Sequence, residues 1–225
     1  MLVLAVGAHP DDETFGGGLL AKYASEGHEV RILLTTRGEG GSPGEPPLCE
    51  RSELGATREA EARESGRILG ACEVRFLPFR DPDLVRGQLQ PIAATLDEFS
   101  GAIAAEIAVS RPDVVVTHGS GGEYGHPQHT YTHRAVFAAL ARLQPWRARE
   151  VWTWCASHPD PEHERNINHD DHADLVLDIT PWRAQKIAAL AAHRTQLLML
   201  TRNSPVPTLE GVAGTTESFR RWPRV

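Results

Sequence analysis

The chain has 225 residues, 40% of them apolar, and a formal charge of −7. That size suits one domain, residues 1–225, with a sizeable core, and the acidic balance argues against a nucleic-acid binder, which would carry a basic face. The three cysteines, Cys49, Cys72 and Cys155, are spaced for neither a disulfide framework nor a CxxC metal knuckle. A reducing, cytoplasmic setting is therefore expected, with no membrane association, since no stretch reaches the length of a span and "MLVLAV" is too short for a signal segment.

"LVLAVGA" is a continuous apolar run of strand length, as for a strand buried on both faces. "GLLAKYASEGHE" reads as a helix stopping at Gly27, and "VRILLTT" as a second strand, so the chain opens β-α-β with a parallel pair. The Gly/Pro-rich loop "RGEGGSPGEPPLC" comes next, then a helix ending at Gly70 and a third strand, "EVRFLPF". Helical spacing returns in the second half of "QLQPIAATLDEFSGAIAAEIAVSRP", and "DVVVTH" is another buried strand that ends in His118. After it come the helix "TYTHRAVFAALARL", the strand "EVWTWCAS", a polar His-rich loop, "HPDPEHERNINHDDHA", and the strand "DLVLDIT". "PWRAQKIAALAAHRTQLLML" reads as one long helix with Pro181 in its first turn. Alternating strands and helices predict an α/β fold, a three-layer αβα sandwich with a mainly parallel, Rossmann-like sheet.

In such sheets ligands sit beyond the carboxyl ends of the strands. Two polar clusters fall there: "HPDDE" after the first strand and "HGSGGEYGHPQHTYTH" after "DVVVT". His9 and Asp12, three apart across a turn, can reach one ion, and His129 can supply a third ligand. Three protein ligands and an open position are what catalytic zinc requires. Asp11 and Asp12 are adjacent, so one can hold the metal while the other serves as general base. His126, three residues before His129, shares a side of the helix's first turn and can stabilise an oxyanion or protonate a leaving group.

"AHPDDE" followed by Gly16–Gly18 resembles the signature of the LmbE-like, or PIG-L, zinc de-N-acetylases, and "GHPQH" at 125–129 is similar to that family's second metal motif. "TRGEGG", "TREAEA", "FRD" and "KIAALAAHRTQ" follow the family's order. The resemblance implies one Zn2+ per chain, with iron(II) also acceptable to such a donor set, and hydrolysis of an N-acetyl group on a glucosamine-containing small molecule. Carried over by position, it assigns His9, Asp12 and His129 to the metal, Asp11 to the base and His126 to the oxyanion. Arg58 and Asp81 match positions that contact sugar hydroxyls. Gln128 departs from the pattern, which more often has aspartate there; a neutral amide can orient the His126 ring but not charge it.

Blander readings accompany these. The first turn can simply cap a helix, and its glycines can permit tight packing; a phosphate cradle is disfavoured because GxGxxG spacing is missing. Glu13 is expected to support the site from behind, and His118 to line it or not. His133 is expected to be exposed and His193 semi-buried on an apolar helix face. His158, His163, His169 and His172 are read as a surface loop, with an interface in a homo-oligomer as one use for it. Arg58 can equally belong to a solvated helix face. Two other functions compete: an amidase for a larger thiol conjugate of the mycothiol or bacillithiol type, and a non-catalytic metal- or nucleotide-binding module. Asp11 separates them, since a structural metal site has no use for a spare carboxylate.

Overall fold

The computed structural model describes residues 1–162, 164, 166–202, 204 and 206–223. In chain order the elements are β1 (Leu2–Gly7), a 3₁₀ turn over Asp12–Gly16, α1 (Gly17–Ser25), β2 (Glu29–Thr36), α2 (Leu54–Leu69), β3 (Glu73–Phe79), α3 (Leu96–Ser110) and β4 (Val114–Thr117). A distorted turn, α4 (Gly122–Gly125), leads into α5 (Pro127–Arg142). Then come β5 (Glu150–Trp154), β6 (Ala156–Ser157), β7 (Asn168–His172), β8 (Leu175–Asp178), α6 (Arg183–Ala192), α7 (Leu197–Arg202), α8 (Leu209–Ala213) and β9 (Thr216–Trp222).

Among the described residues the central sheet has the order β3-β2-β1-β4-β5-β9-β8. The first five strands are parallel, and β9 and β8 close the edge antiparallel. Alternation along β1 produces the layers. Val3 and Ala5 pack with Leu19 and Leu20 of α1, Ala62 of α2 and Ala189 of α6. Leu4 and Val6 pack on the other face with Phe99 and Ile103 of α3 and Val136 of α5. This is the expected three-layer α/β sandwich with a mainly parallel sheet. The chain runs β1 to β3 in one direction and β4 to β5 in the other, so the sheet order reverses between β1 and β4. The loops after those two strands carry both polar clusters.

Several expectations are corrected. The long helix after Pro181 is broken: α6 ends at Ala192, and a 3₁₀ turn over Arg194–Gln196 separates it from α7. His193, at φ −81° and ψ 62°, leaves the helix and points its ring at Glu13, with Nε2 and Oε1 2.6 Å apart. Part of the His-rich loop is strand β7, which pairs with β6; His163 lies outside the described residues. His133 is half-buried against Phe137 and Trp222, with Nδ1 on the His118 carbonyl at 2.9 Å. No helix among the described residues is long and apolar enough to cross a membrane.

Candidate metal centre and active site

The first turn is built from its own backbone. Strand β1 ends at Gly7, and the Ala8 and His9 N–H groups donate to Asp12 Oδ2 at 2.8 and 2.7 Å. Gly7 must lack a side chain, since a Cβ there would meet Asp12 Cβ at 2.9 Å. Asp11 takes φ +105°, a region a non-glycine residue enters only when its surroundings hold it there. They do so on both sides. Its N–H donates to Glu13 Oε2 at 3.1 Å, and its carbonyl accepts from Thr14 N at 3.0 Å and Thr14 Oγ1 at 2.6 Å. Glu13 is itself fixed by Ser65 and His193. The twist sends the two carboxylates to different neighbours: Asp12 lies among His9, His118 and His129, whereas Asp11 faces Arg58, and both reach the cavity.

The second cluster is held by remote partners. Glu123, at φ +61°, accepts from His118 Nδ1 at 2.9 Å, His129 Nδ1 at 2.7 Å and the Gly119 N–H at 3.0 Å. Asn168 of β7 accepts the Gly121 and Glu123 N–H groups, both at 3.0 Å, and so fixes that turn. His126 caps α5, its Nδ1 accepting the Gln128 N–H at 3.3 Å. With Nδ1 an acceptor, the proton of the neutral ring sits on Nε2.

The two clusters meet. His9 Nδ1 lies 3.3 Å from His129 Nε2 and 3.5 Å from Asp12 Oδ2, and His129 Nε2 lies 3.3 Å from Asp12 Oδ1. Donors about 2.0–2.1 Å from a tetrahedral zinc stand roughly 3.3–3.4 Å apart. The ring nitrogens facing away are both engaged, His129 Nδ1 by Glu123 and His9 Nε2 by Gln128 Oε1 at 2.7 Å. Both inner nitrogens therefore present lone pairs to each other and to a carboxylate, an arrangement that suits a cation between them. Two overlapping groups, His9–His126–His129 and Asp12–His118–His129, also have donors close enough to hold one ion. His118 is fully buried between Asp12 and Glu123 and does not line the cavity.

Charge follows this geometry. Burial works against the Asp12 carboxylate, but His129 and His118 override it and hold Asp12 well below the usual carboxylate range. Burial lifts Asp11 to about 6 against the pull of Arg58. Burial, with His129 and His9 beside it, pushes His126 down to about 2, so this ring is neutral and its Nε2–H is a standing donor. Burial also opposes charge on His118, yet Glu123 and Asp12 raise it to about 9.

The cavity measures about 700 Å³ and is lined by His9, Asp11, Asp12, His126 and His129, with Arg58, Asp81 and Tyr124 on its walls. Arg58 is not on a solvated face: it is 3% exposed, donates to Gly38 O at 2.9 Å and Pro10 O at 2.5 Å, and lies 3.5 Å from Asp11 Oδ2. Asp81 accepts from Gln128 Nε2 at 2.8 Å and Gly40 N at 3.1 Å. The Gln128 side chain thus serves His9 and Asp81 rather than the His126 ring. Glu217 fills the N-terminus of α1, accepting from Gly18 N at 2.7 Å and Leu19 N at 2.9 Å, which leaves no phosphate cradle there. Glu123 and Asn168 belong to the site although no motif in the sequence marks them. A glutamate within "GSGGEYG", five residues after one cluster histidine and six before another, was the available signal; Asn168 had none.

Residues 4–140 match the family PIG-L, described as GlcNAc-PI de-N-acetylase. The chain is 34% identical over 248 residues to a 1D-myo-inositol 2-acetamido-2-deoxy-alpha-D-glucopyranoside deacetylase of Saccharomonospora viridis, covering 92% of each. It is 33% identical over 227 residues to the protein of the same name from Mycobacterium sp. (strain KMS), covering 87% of this chain and 74% of that one. Among solved structures, the conserved protein TT1542 from Thermus thermophilus is similar at TM-score 0.64 and 29% identity, over 88% of this chain and 80% of that one. The N,N'-diacetylchitobiose deacetylase from Pyrococcus horikoshii shares the fold at TM-score 0.71 and 22% identity, over 99% and 84%.

Proposed function

The chain belongs to the PIG-L family of de-N-acetylases, and from that premise we propose that it is a zinc-dependent hydrolase that removes the N-acetyl group from a small molecule containing N-acetylglucosamine. The observation that carries this reading is the divergence of two adjacent carboxylates at one cavity, Asp12 into the donor cluster and Asp11 toward Arg58. A site that only stored or buried a metal would not need the second.

In this reading His9, Asp12 and His129 hold the zinc. Zinc, when bound, supplies a Lewis acid and makes water a nucleophile near neutral pH. Asp11 takes the proton of the attacking water at a carboxylate oxygen, and its raised pKa suits a base that must also release that proton. His126 donates from Nε2 to the oxygen of the acetyl carbonyl as charge develops there. That ring acts as a neutral donor rather than as an imidazolium acid, given its depressed pKa.

Arg58 holds the Pro10 carbonyl and faces Asp11, and so steadies the base as well as meeting substrate. Asp81 offers its remaining lone pairs to a sugar hydroxyl. The cavity falls within the roughly 300–1,000 Å³ of pockets that enclose drug-sized ligands, which favours an amino sugar that carries a further group over a bare monosaccharide. Acetate release from N-acetylglucosamine and its glycosides, with zinc supplied and then chelated, tests the proposal. Zinc-dependent release supports it; no release from any of them, with zinc bound, contradicts it.

A further inference from the structure

Gln128 is 1% exposed and sits in the first turn of α5. Its Oε1 lies 2.7 Å from His9 Nε2, and its Nε2 lies 2.8 Å from Asp81 Oδ1 and 3.0 Å from the Gln90 carbonyl. A carboxylate and a carbonyl only accept, so the amide nitrogen faces them and the oxygen faces His9. His9 Nε2 therefore carries the ring proton, and Nδ1 keeps its lone pair toward Asp12 and His129. A glutamate here would set a second carboxylate against Asp81. An apolar side chain would strand a buried N–H on His9 and an acceptor on Asp81. An amide, with an acceptor at one end and two donors at the other, meets all three demands.

We infer that Gln128 is a positioning residue that ties His9, in the metal centre, to Asp81, on the cavity wall, so that affinity for zinc depends on a side chain that touches no metal. The inference rests on His9 being a zinc ligand, as proposed above. Asp81 is anchored in turn by Gly40 N at 3.1 Å, while its own N–H donates to Glu39 Oε2 at 3.1 Å. A displacement of this wall reaches the amide, the amide turns, and the His9 ring loses the partner that fixes its tautomer and direction. The amide, bonded at one end to His9 and at the other to Asp81, is the physical element through which coupling passes, beside a direct His9 Nε2–Asp81 Oδ1 separation of 3.7 Å.

The test is a double-mutant cycle read as zinc affinity, by competition with a chromophoric chelator and without any activity assay. Q128A is expected to weaken zinc about 10- to 100-fold, the usual cost of removing a partner of a ligating histidine. D81A is expected to weaken it roughly two- to thirty-fold in the parent, and to add nothing in the Q128A background. Unchanged zinc affinity in D81A, or losses that simply add, overturns the inference. If Q128A does not fold, the exchange Q128E with D81N replaces it, since it reverses donor and acceptor across the same contact. The pair should bind zinc more tightly than Q128E alone, and failure to recover overturns the inference. Nitrogen-15 shifts of His9 at a pH where the ring is neutral give a readout without metal: the proton is expected on Nε2 in the parent and spread over both nitrogens in D81A. A parent protein that binds no zinc contradicts the metal centre, and the His9 tautomer then decides for or against the tie by itself.

Discussion

The turn after β1 and the segment after β4 supply the same centre by different means. In the first, six residues between Ala8 and Thr14 hold one another: the Ala8 and His9 N–H groups grip Asp12, and Asp11 is locked by Glu13 and Thr14. In the second, His118 and His129 are held by Glu123, and Glu123 by an asparagine 45 residues away. The first device is mostly local, with Ser65, His193 and Arg58 bracing it from outside. A device assembled from remote parts fails wherever any part is lost, including far from the chemistry.

The sharpest break of this comparison is at His129, the one residue that belongs to both candidate donor groups. H129A is expected to lose most of its metal, and activity with it, while staying folded; metal analysis beside circular dichroism checks this, and full retention of metal would rule the ligand set out. Next is Glu123, fully enclosed between two histidines. E123A removes the carboxylate on which the second segment closes. Breaking a buried charge pair costs about 3–5 kcal/mol, so a loss of that size in denaturant unfolding is expected, together with weaker zinc binding. A loss below about 1 kcal/mol would mean that the segment holds itself.

Arg58, which braces the first turn through Pro10 and faces Asp11, gives the smallest effect. Losing its charged hydrogen bonds costs about 1.5–3 kcal/mol, or roughly ten- to hundred-fold. Because it braces Pro10 and Asp11 as well as facing the cavity, R58A is expected to lower kcat and raise KM with metal content unchanged. A change confined to KM would leave it as a substrate contact only.

The same contrast explains what the sequence made legible. The opening β-α-β and the histidine-aspartate turn are local patterns, and each lies where the sequence places it; the reversal between β1 and β4 is a property of the assembled sheet. Strand β9 went unread because "TESFRRW" looks polar. Glu217 can lie buried in it only because Lys186, at 2.8 Å, and the α1 N–H groups meet it from elsewhere. Helical spacing runs on through His193 in the sequence because the partner of that ring, Glu13, stands 180 positions earlier. Glu123 and Asn168 are invisible for the same reason: their roles exist only once β4, α5 and β7 have met.

The central claim is that one turn delivers a ligand and a base to the same water. Metal content and steady-state kinetics of D11N and D12N, measured side by side, test it most directly. D11N keeps the shape of the side chain and removes the base, so it is predicted to hold metal at close to parent stoichiometry and to lose about 10²–10⁴-fold in kcat, the usual worth of general-base help, with KM little changed. D12N is predicted to lose metal first. If D11N comes out metal-free while D12N stays loaded and slow, the two roles are reversed; if D11N is loaded and fully active, Asp11 is not the base and the account fails.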